Sequence, residues 1–216
     1  MLGRIGTRGP GKGGRIQKRW LALGAAFLIA FAALIGIGAL LSDPAQESSA
    51  TGEAAIGGPF RLLDQNGQRV TNQDFAGKHM LIYFGYTFCP DICPLTLVNM
   101  SAAMEELPPD VAEQVVPIFI TVDPSRDTVE QLAAYASAFD PRLVALTGSE
   151  AEVKAAARSY RVYFKKVEGE NADSYLMDHT SFIYLMGPDG RYEAHFAHNA
   201  SPEEIGEGIR GEVGGS

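Results

Sequence analysis

The chain has very little cysteine: two residues, Cys89 and Cys93, among 216. That excludes a disulfide framework, and a single bridge between positions four apart would close too short a loop to constrain the unfolded chain much. Acid is missing from residues 1–19, which hold six of the 18 basic residues and leave 12 against 26 acidic residues for the rest. So acidic a body repels phosphate backbones, which argues against nucleic acid as a partner. Charge of either sign is missing between Trp20 and Leu41. No internal repeat or low-complexity block occurs, which excludes a repeat architecture. The remainder, 46% hydrophobic and 20% charged, is ordinary globular composition.

The uncharged run "WLALGAAFLIAFAALIGIGALL" fills residues 20–41. As a helix rising about 1.5 Å per residue it reaches about 33 Å, enough to cross a hydrocarbon core. Cations on its N-terminal flank orient that end toward the cytoplasm and the body away from it. A cleaved signal peptide is the alternative, but its apolar region would be shorter and "ALLSDPAQ" is a poor cleavage sequence. The expected organisation is therefore a basic cytoplasmic head (1–19), a transmembrane anchor in membrane lipid (20–41), a small, polar, flexible tether (42–58) and a folded domain (59–216). Trp20 suits the membrane interface.

Within the domain, Asn66-Gly67 marks a β-hairpin turn between two short strands. The apolar runs at 80–86, 115–123 and 142–148 read as strands, the first two buried on both faces. Helical spacing runs over 95–107, stopped by Pro108-Pro109, and over 127–139 with Asp127 as its N-cap. A further helix runs from a Ser149/Glu152 capping box to about Tyr160. A second hairpin turns at 188–190, and Ser201-Pro202 opens a last helix. Alternating strands and helices followed by a hairpin and a helix predict an α/β fold, a mixed central sheet with helices on both faces.

The cysteines stand in "YTFCPDICP", just past the C-terminal end of a buried strand, where open α/β sheets place their sites. At a helix N-terminus a thiol ionises more readily, and the thiolate is the form that attacks disulfides or binds metal. Four residues apart in a first helical turn, both sulfurs lie on one face within reach of one ion. A dithiol oxidoreductase and a metal site both remain open on this reading. A metal site needs a third donor. Of four histidines, His79 lies at the far end of its strand and His195 and His198 on or beyond an outer strand. His179, in "YLMDHTSFIYLM", directly precedes a strand of the sheet and is the candidate, with Asp178 and Thr180 as polar neighbours for its second nitrogen. Met177 and Met186 beside it read as packing.

Together "GYTFCPDICP", "TVDPSRDT" and "YLMDHTSFIYLMGPDG", in this order behind an anchor and tether, resemble the Sco/SenC family of copper proteins over residues 55–212. The resemblance implies a thioredoxin-like fold behind a single transmembrane helix, acting as a copper chaperone in assembly of the CuA centre of cytochrome c oxidase. It implies copper, as Cu(I) or Cu(II), held by Cys89, Cys93 and His179, with Asp123 and Asp178 outside the ligands. Soft thiolates suit Cu(I), and imidazole accepts either state. The implied partners are the copper-accepting subunit of the oxidase, other periplasmic copper donors and thiol reductases. The protein would then not be an enzyme. A second reading is a thiol-disulfide oxidoreductase that reduces the cysteines of that subunit, passing through a Cys89–Cys93 disulfide. The expected location is a bacterial inner membrane with the domain in the periplasm, or a mitochondrial inner membrane facing the intermembrane space.

Overall fold

Turn chemistry opens the domain. Gly67 takes a left-handed φ of 76° and donates its N–H to the Asp64 carbonyl at 2.9 Å. This turn folds β1 (Arg61–Asp64) antiparallel onto β2 (Arg69–Thr71). In the computed structural model, residues 56–169 and 175–214 are described. The basic head, the 20–41 run and most of the 42–58 tether lie outside them. No helix among the described residues is long and apolar enough to cross a membrane. The tether's last residues are already tied in, with the Gly57 N–H bonded to the Ser159 carbonyl and Ile56 packed on the core.

Every residue of β3 (His79–Gly85) is buried, and so are all but one of β4 (Val115–Thr121). A strand buried on alternate sides needs both sheet faces covered, the condition that continuous apolar runs satisfy. With β5 (Val144–Thr147) these strands are parallel, and β8 (Phe182–Met186) and β9 (Tyr192–Ala197) extend the sheet antiparallel. The seven-stranded order is β2-β1-β5-β4-β3-β8-β9. The mixed α/β sheet is what the strand and helix pattern predicts, and its thioredoxin-like arrangement is what the Sco/SenC resemblance implies. Among the described residues four helices of eight residues or more pack on it: α1 (Ile92–Glu106), α2 (Val129–Ala136), α3 (Glu150–Ser159) and α4 (Pro202–Val213). Ser149 and Ser201 cap α3 and α4 with reciprocal bonds from Glu152 and Glu204.

Three local features differ from the sequence expectation. Helix α1 starts at Ile92 rather than residue 95, because Pro94 occupies its third position, where an N–H would have no intrahelical partner to lose. Helix α2 is capped by Thr128, whose hydroxyl accepts from the Gln131 N–H, and not by Asp127. Asp127 is instead fully buried. Finally, β6 (Phe164–Val167) and β7 (Leu176–His179) form a separate two-stranded sheet. Both are short and mostly exposed, so they carry no apolar run that would mark them as strands.

Register decides what meets at the sheet's edge. Gly85 aligns with Thr121 on β4, while Tyr83 aligns with Ile183 on antiparallel β8. The residues after β3, those after β4 and those before β8 therefore emerge at one end of the sheet. His79 begins β3 at the other end, buried, with Nε2 3.4 Å from Glu193 Oε2.

Candidate functional site

The cysteine loop is moored from beneath. Asp127 accepts from the Thr87 N–H at 3.0 Å, the Thr87 hydroxyl at 2.7 Å and the Thr121 hydroxyl at 2.6 Å. Burial raises this carboxyl's pKa against the opposing pull of those donors. Gly85 provides the space above. A Cβ there would sit 2.9 Å from both Cys93 Sγ and a Phe119 ring carbon. Glycine is thus what lets the Cys93 sulfur lie against the end of β3.

Cys93, in the first turn of α1, is fully buried, and Cys89 before the helix is half-buried; both are free thiols. Asp91, at the N-cap position, makes no side-chain cap bond. An otherwise unpaired N–H of that first turn, from Cys93, points at Cys89 Sγ at 3.4 Å, so sulfur takes the capping role. The two thiols are consequently unequal. The bond from Cys93, followed by backbone N–H donors, outweighs burial and lowers the Cys89 pKa to about 5. Cys93, donating to its neighbour and buried, is held protonated with its pKa raised. The Tyr83 hydroxyl lies 3.6 Å from Cys93 Sγ.

His179 ends β7, and its Nε2 lies 3.7 Å from Cys93 Sγ. Its Nδ1 is 3.0 Å from the Thr180 carbonyl oxygen. A carbonyl only accepts, so Nδ1 carries the proton and Nε2 turns its lone pair toward the sulfur. Burial lowers the His179 pKa, which favours the neutral ring a metal requires. Tyr83 and Tyr86 set their rings edge-on to the imidazole, at 6.3 and 5.9 Å between centroids. Two ligands on one d10 ion, with bonds of about 2.3 Å to sulfur and about 2.0 Å to nitrogen, stand about 3.5–3.8 Å apart. The Cys93–His179 separation falls in that range. No three His, Cys, Asp or Glu side chains among the described residues are clustered tightly enough to hold an ion as they stand.

The carboxylates expected beside the site divide. Asp123 is buried, bonded by Arg126 Nε at 2.5 Å and by the Tyr175 hydroxyl at 2.9 Å, and is hydrogen-bonded to neither cysteine nor His179. Asp178 is exposed opposite Lys165 and acts on the imidazole through charge alone; the Thr180 carbonyl takes the Nδ1 proton. Met186 is buried in the core and Met177 packs at its margin. Sequence reasoning misses Gly85, Thr87, Asp127, Arg126 and Tyr175. All five lie within the three quoted motifs, but only the fold joins them.

An α/β sheet of thioredoxin type with two unequal thiols past its strand ends, and a neutral imidazole on a separate hairpin beside one of them, defines a class: a dithiol protein with a histidine alongside. Residues 48–214 match the family model described as SCO1/SenC, and the chain belongs to that family. It is 44% identical over 168 residues to the mitochondrial protein SCO1 homolog 1 of Arabidopsis thaliana, covering 78% of this chain and 50% of that one. The chain thus aligns with about half the length of that relative. The structure of Bradyrhizobium japonicum ScoI with copper bound superposes with a TM-score of 0.67 at 47% identity, covering 72% of this chain and 98% of the other. Arabidopsis thaliana ScoI with copper bound gives 0.69 at 43% identity, covering 75% and 100%.

Proposed function

We propose that this chain carries copper as cargo, held by Cys89, Cys93 and His179, and delivers it to the copper-accepting subunit of cytochrome c oxidase. The observation that carries the reading is the lone pair of His179 Nε2, 3.7 Å from Cys93 Sγ. The copper-bound structures of two relatives support it. Thiolates select Cu(I), and the imidazole accommodates Cu(II) as well. Delivery is ligand exchange: donors of the acceptor displace those of this chain one at a time, and no covalent bond of a substrate breaks. The run 20–41 anchors the domain on the outer side of a bacterial inner membrane, where the acceptor's copper site would lie.

One observation favours a second reading. Half-buried Cys89 receives the Cys93 N–H at 3.4 Å and has its pKa lowered, while Cys93 is fully buried with its pKa raised, which is the asymmetry of a disulfide reductant. Cys89 would attack a disulfide of the copper subunit and release one of its thiolates. Cys93 would then give up its proton and displace the second, leaving a Cys89–Cys93 disulfide here and a dithiol there. His179→Ala separates the two. Copper delivery predicts a loss of Cu affinity of about 100-fold or more, beyond the about 10–100-fold that outer partners carry, and an altered thiolate-to-Cu(II) absorption band. Reduction of a disulfide needs no imidazole and would survive. Wild-type copper affinity in the variant would overturn the copper reading.

A further inference from the structure

The hairpin that carries His179 is not part of the main sheet. What holds it beside the cysteines is therefore a separate matter from what folds the domain. One side chain spans the junction. Arg126 leaves the loop after β4 with its Nε on Asp123 Oδ2 at 2.5 Å, while its Nη1 donates to the Tyr175 carbonyl at 3.0 Å. The guanidinium carbon lies 3.6 Å over the Tyr175 ring and 4.7 Å from the Phe88 ring. Tyr175 directly precedes β7, and Phe88 directly precedes Cys89. The Tyr175 hydroxyl returns to the other oxygen of the same carboxylate, Asp123 Oδ1, at 2.9 Å. One planar cation is thus stacked between the residue leading to the imidazole strand and the residue leading to the first cysteine.

We infer that Arg126 is the positioning residue for His179, a latch that holds the imidazole against the sulfurs and whose release makes it the first ligand to leave during copper hand-over. The inference rests on the copper reading for its consequence and on geometry for the latch. The two sides of the site are held differently. Loss of Arg126 takes one stacking contact from Phe88, but the bonds of Thr87 to Asp127 and the burial of Cys93 beneath Gly85 do not involve it and remain to hold the cysteine side. The hairpin has the Arg126–Tyr175–Asp123 bonds, the packing of Phe164 and Met177 at the core's margin, a Tyr86 contact to the Met177 backbone and the Tyr83 and Tyr86 rings on the imidazole. Of these, only the Arg126 bonds fork between the loop after β4 and the start of β7. Arg126 Nη2 is buried without an acceptor among the described residues, so the latch is not at full strength. Lysine cannot replace it, because a flexible point charge neither forks between two acceptors nor stacks as a plane.

The test uses the full-length chain. In metal-free protein, Arg126→Ala and Arg126→Lys should each speed amide hydrogen exchange across residues 175–179 by about tenfold, the scale of one charge-assisted hydrogen bond lost from a local opening equilibrium. Residues 79–85 of β3 should keep wild-type protection. With Cu(II) added, both variants should lose the imidazole nitrogen coupling from the electron paramagnetic spectrum while retaining the thiolate absorption band, and should release copper to a chelator faster. Tyr175→Leu, which removes the stacking face and the hydroxyl from the opposite side, should reproduce the pattern and serves should the arginine variants fail to fold. Unchanged exchange at 175–179, acceleration spread equally over β3, or full rescue by lysine would overturn the latch. A wild-type chain that bound no copper would overturn the copper reading alone, since the exchange experiment needs no metal.

Discussion

The sulfur side and the imidazole side of this site are built to different standards. Cys93 is fully buried beneath Gly85, at the end of a strand buried along its whole length. Its loop hangs from a buried carboxyl group that accepts from three donors. His179 closes a two-stranded sheet of which β6 is nearly all exposed, with Tyr163, Val167 and Leu176 open to solvent. Protection against opening follows buried contacts and satisfied hydrogen bonds. On the proposed copper reading, the difference teaches how a carrier can bind and release: the sulfur side, built into the core, would retain the ion, and the imidazole on its separate hairpin would come and go.

The comparison breaks most completely if the fixed side is removed. Cys89→Ser or Cys93→Ser should abolish tight Cu(I) binding, a loss larger than that of His179→Ala; competition titration against a Cu(I) chelator checks it. Affinity surviving in both serine variants would sink the idea that sulfur retains the ion. Next in size, Gly85→Ala should displace the Cys93 sulfur and destabilise the fold by about 1–3 kcal/mol, the usual result of overpacking a tight core site. Denaturant unfolding measures the stability, and copper titration shows whether the sulfur has moved. Asp127→Ala leaves the Thr87 and Thr121 donors unsatisfied and should cost about 1–3 kcal/mol. It should also raise exchange at the cysteine loop and not at β7, the mirror image of the Arg126 variants.

The smallest effect sharpens the comparison within the dithiol. Alkylation of metal-free protein should modify Cys89 well before Cys93, because one is half-buried and ionised and the other buried and protonated. The sign follows from the lowered Cys89 pKa of about 5: the thiolate is present above that pH, and the rate should fall as pH drops through it. Mass mapping after brief iodoacetamide treatment between pH 4 and pH 8, about a unit or more to either side of that value, checks both points. Equal labelling of the two cysteines would contradict the inequality.

Much of the framework was legible because its signals are local. Asn66-Gly67, the apolar runs of β3 and β4, and the serine caps of α3 and α4 each act within a few residues. Asp127 was misread for an instructive reason. An acid followed three residues on by Glu130 satisfies the capping pattern, but Thr128 offers the same cap one residue later, and burial against Thr87 and Thr121 claims the carboxylate. The β6–β7 hairpin escaped notice because short, exposed strands lack hydrophobic periodicity. Of the residues proposed for the site, spacing points to the cysteines and a place before a strand points to His179, which the fold sets beside Cys93. Arg126 and Tyr175 were not, since no sequence interval relates a loop after β4 to the start of β7.

The sequence alone determined the chemistry available to this chain: two thiols one helical turn apart, few imidazoles to join them, an acidic body and an uncharged run long enough to span a bilayer. These are properties of composition and of near neighbours, which a linear chain states outright. Tertiary structure decided how closely His179 meets the Cys93 sulfur, which of the two thiols is buried and which side of the site stands outside the main sheet. Those outcomes depend on strand register, on buried carboxylates and on a stacked arginine, all contacts between residues distant along the chain.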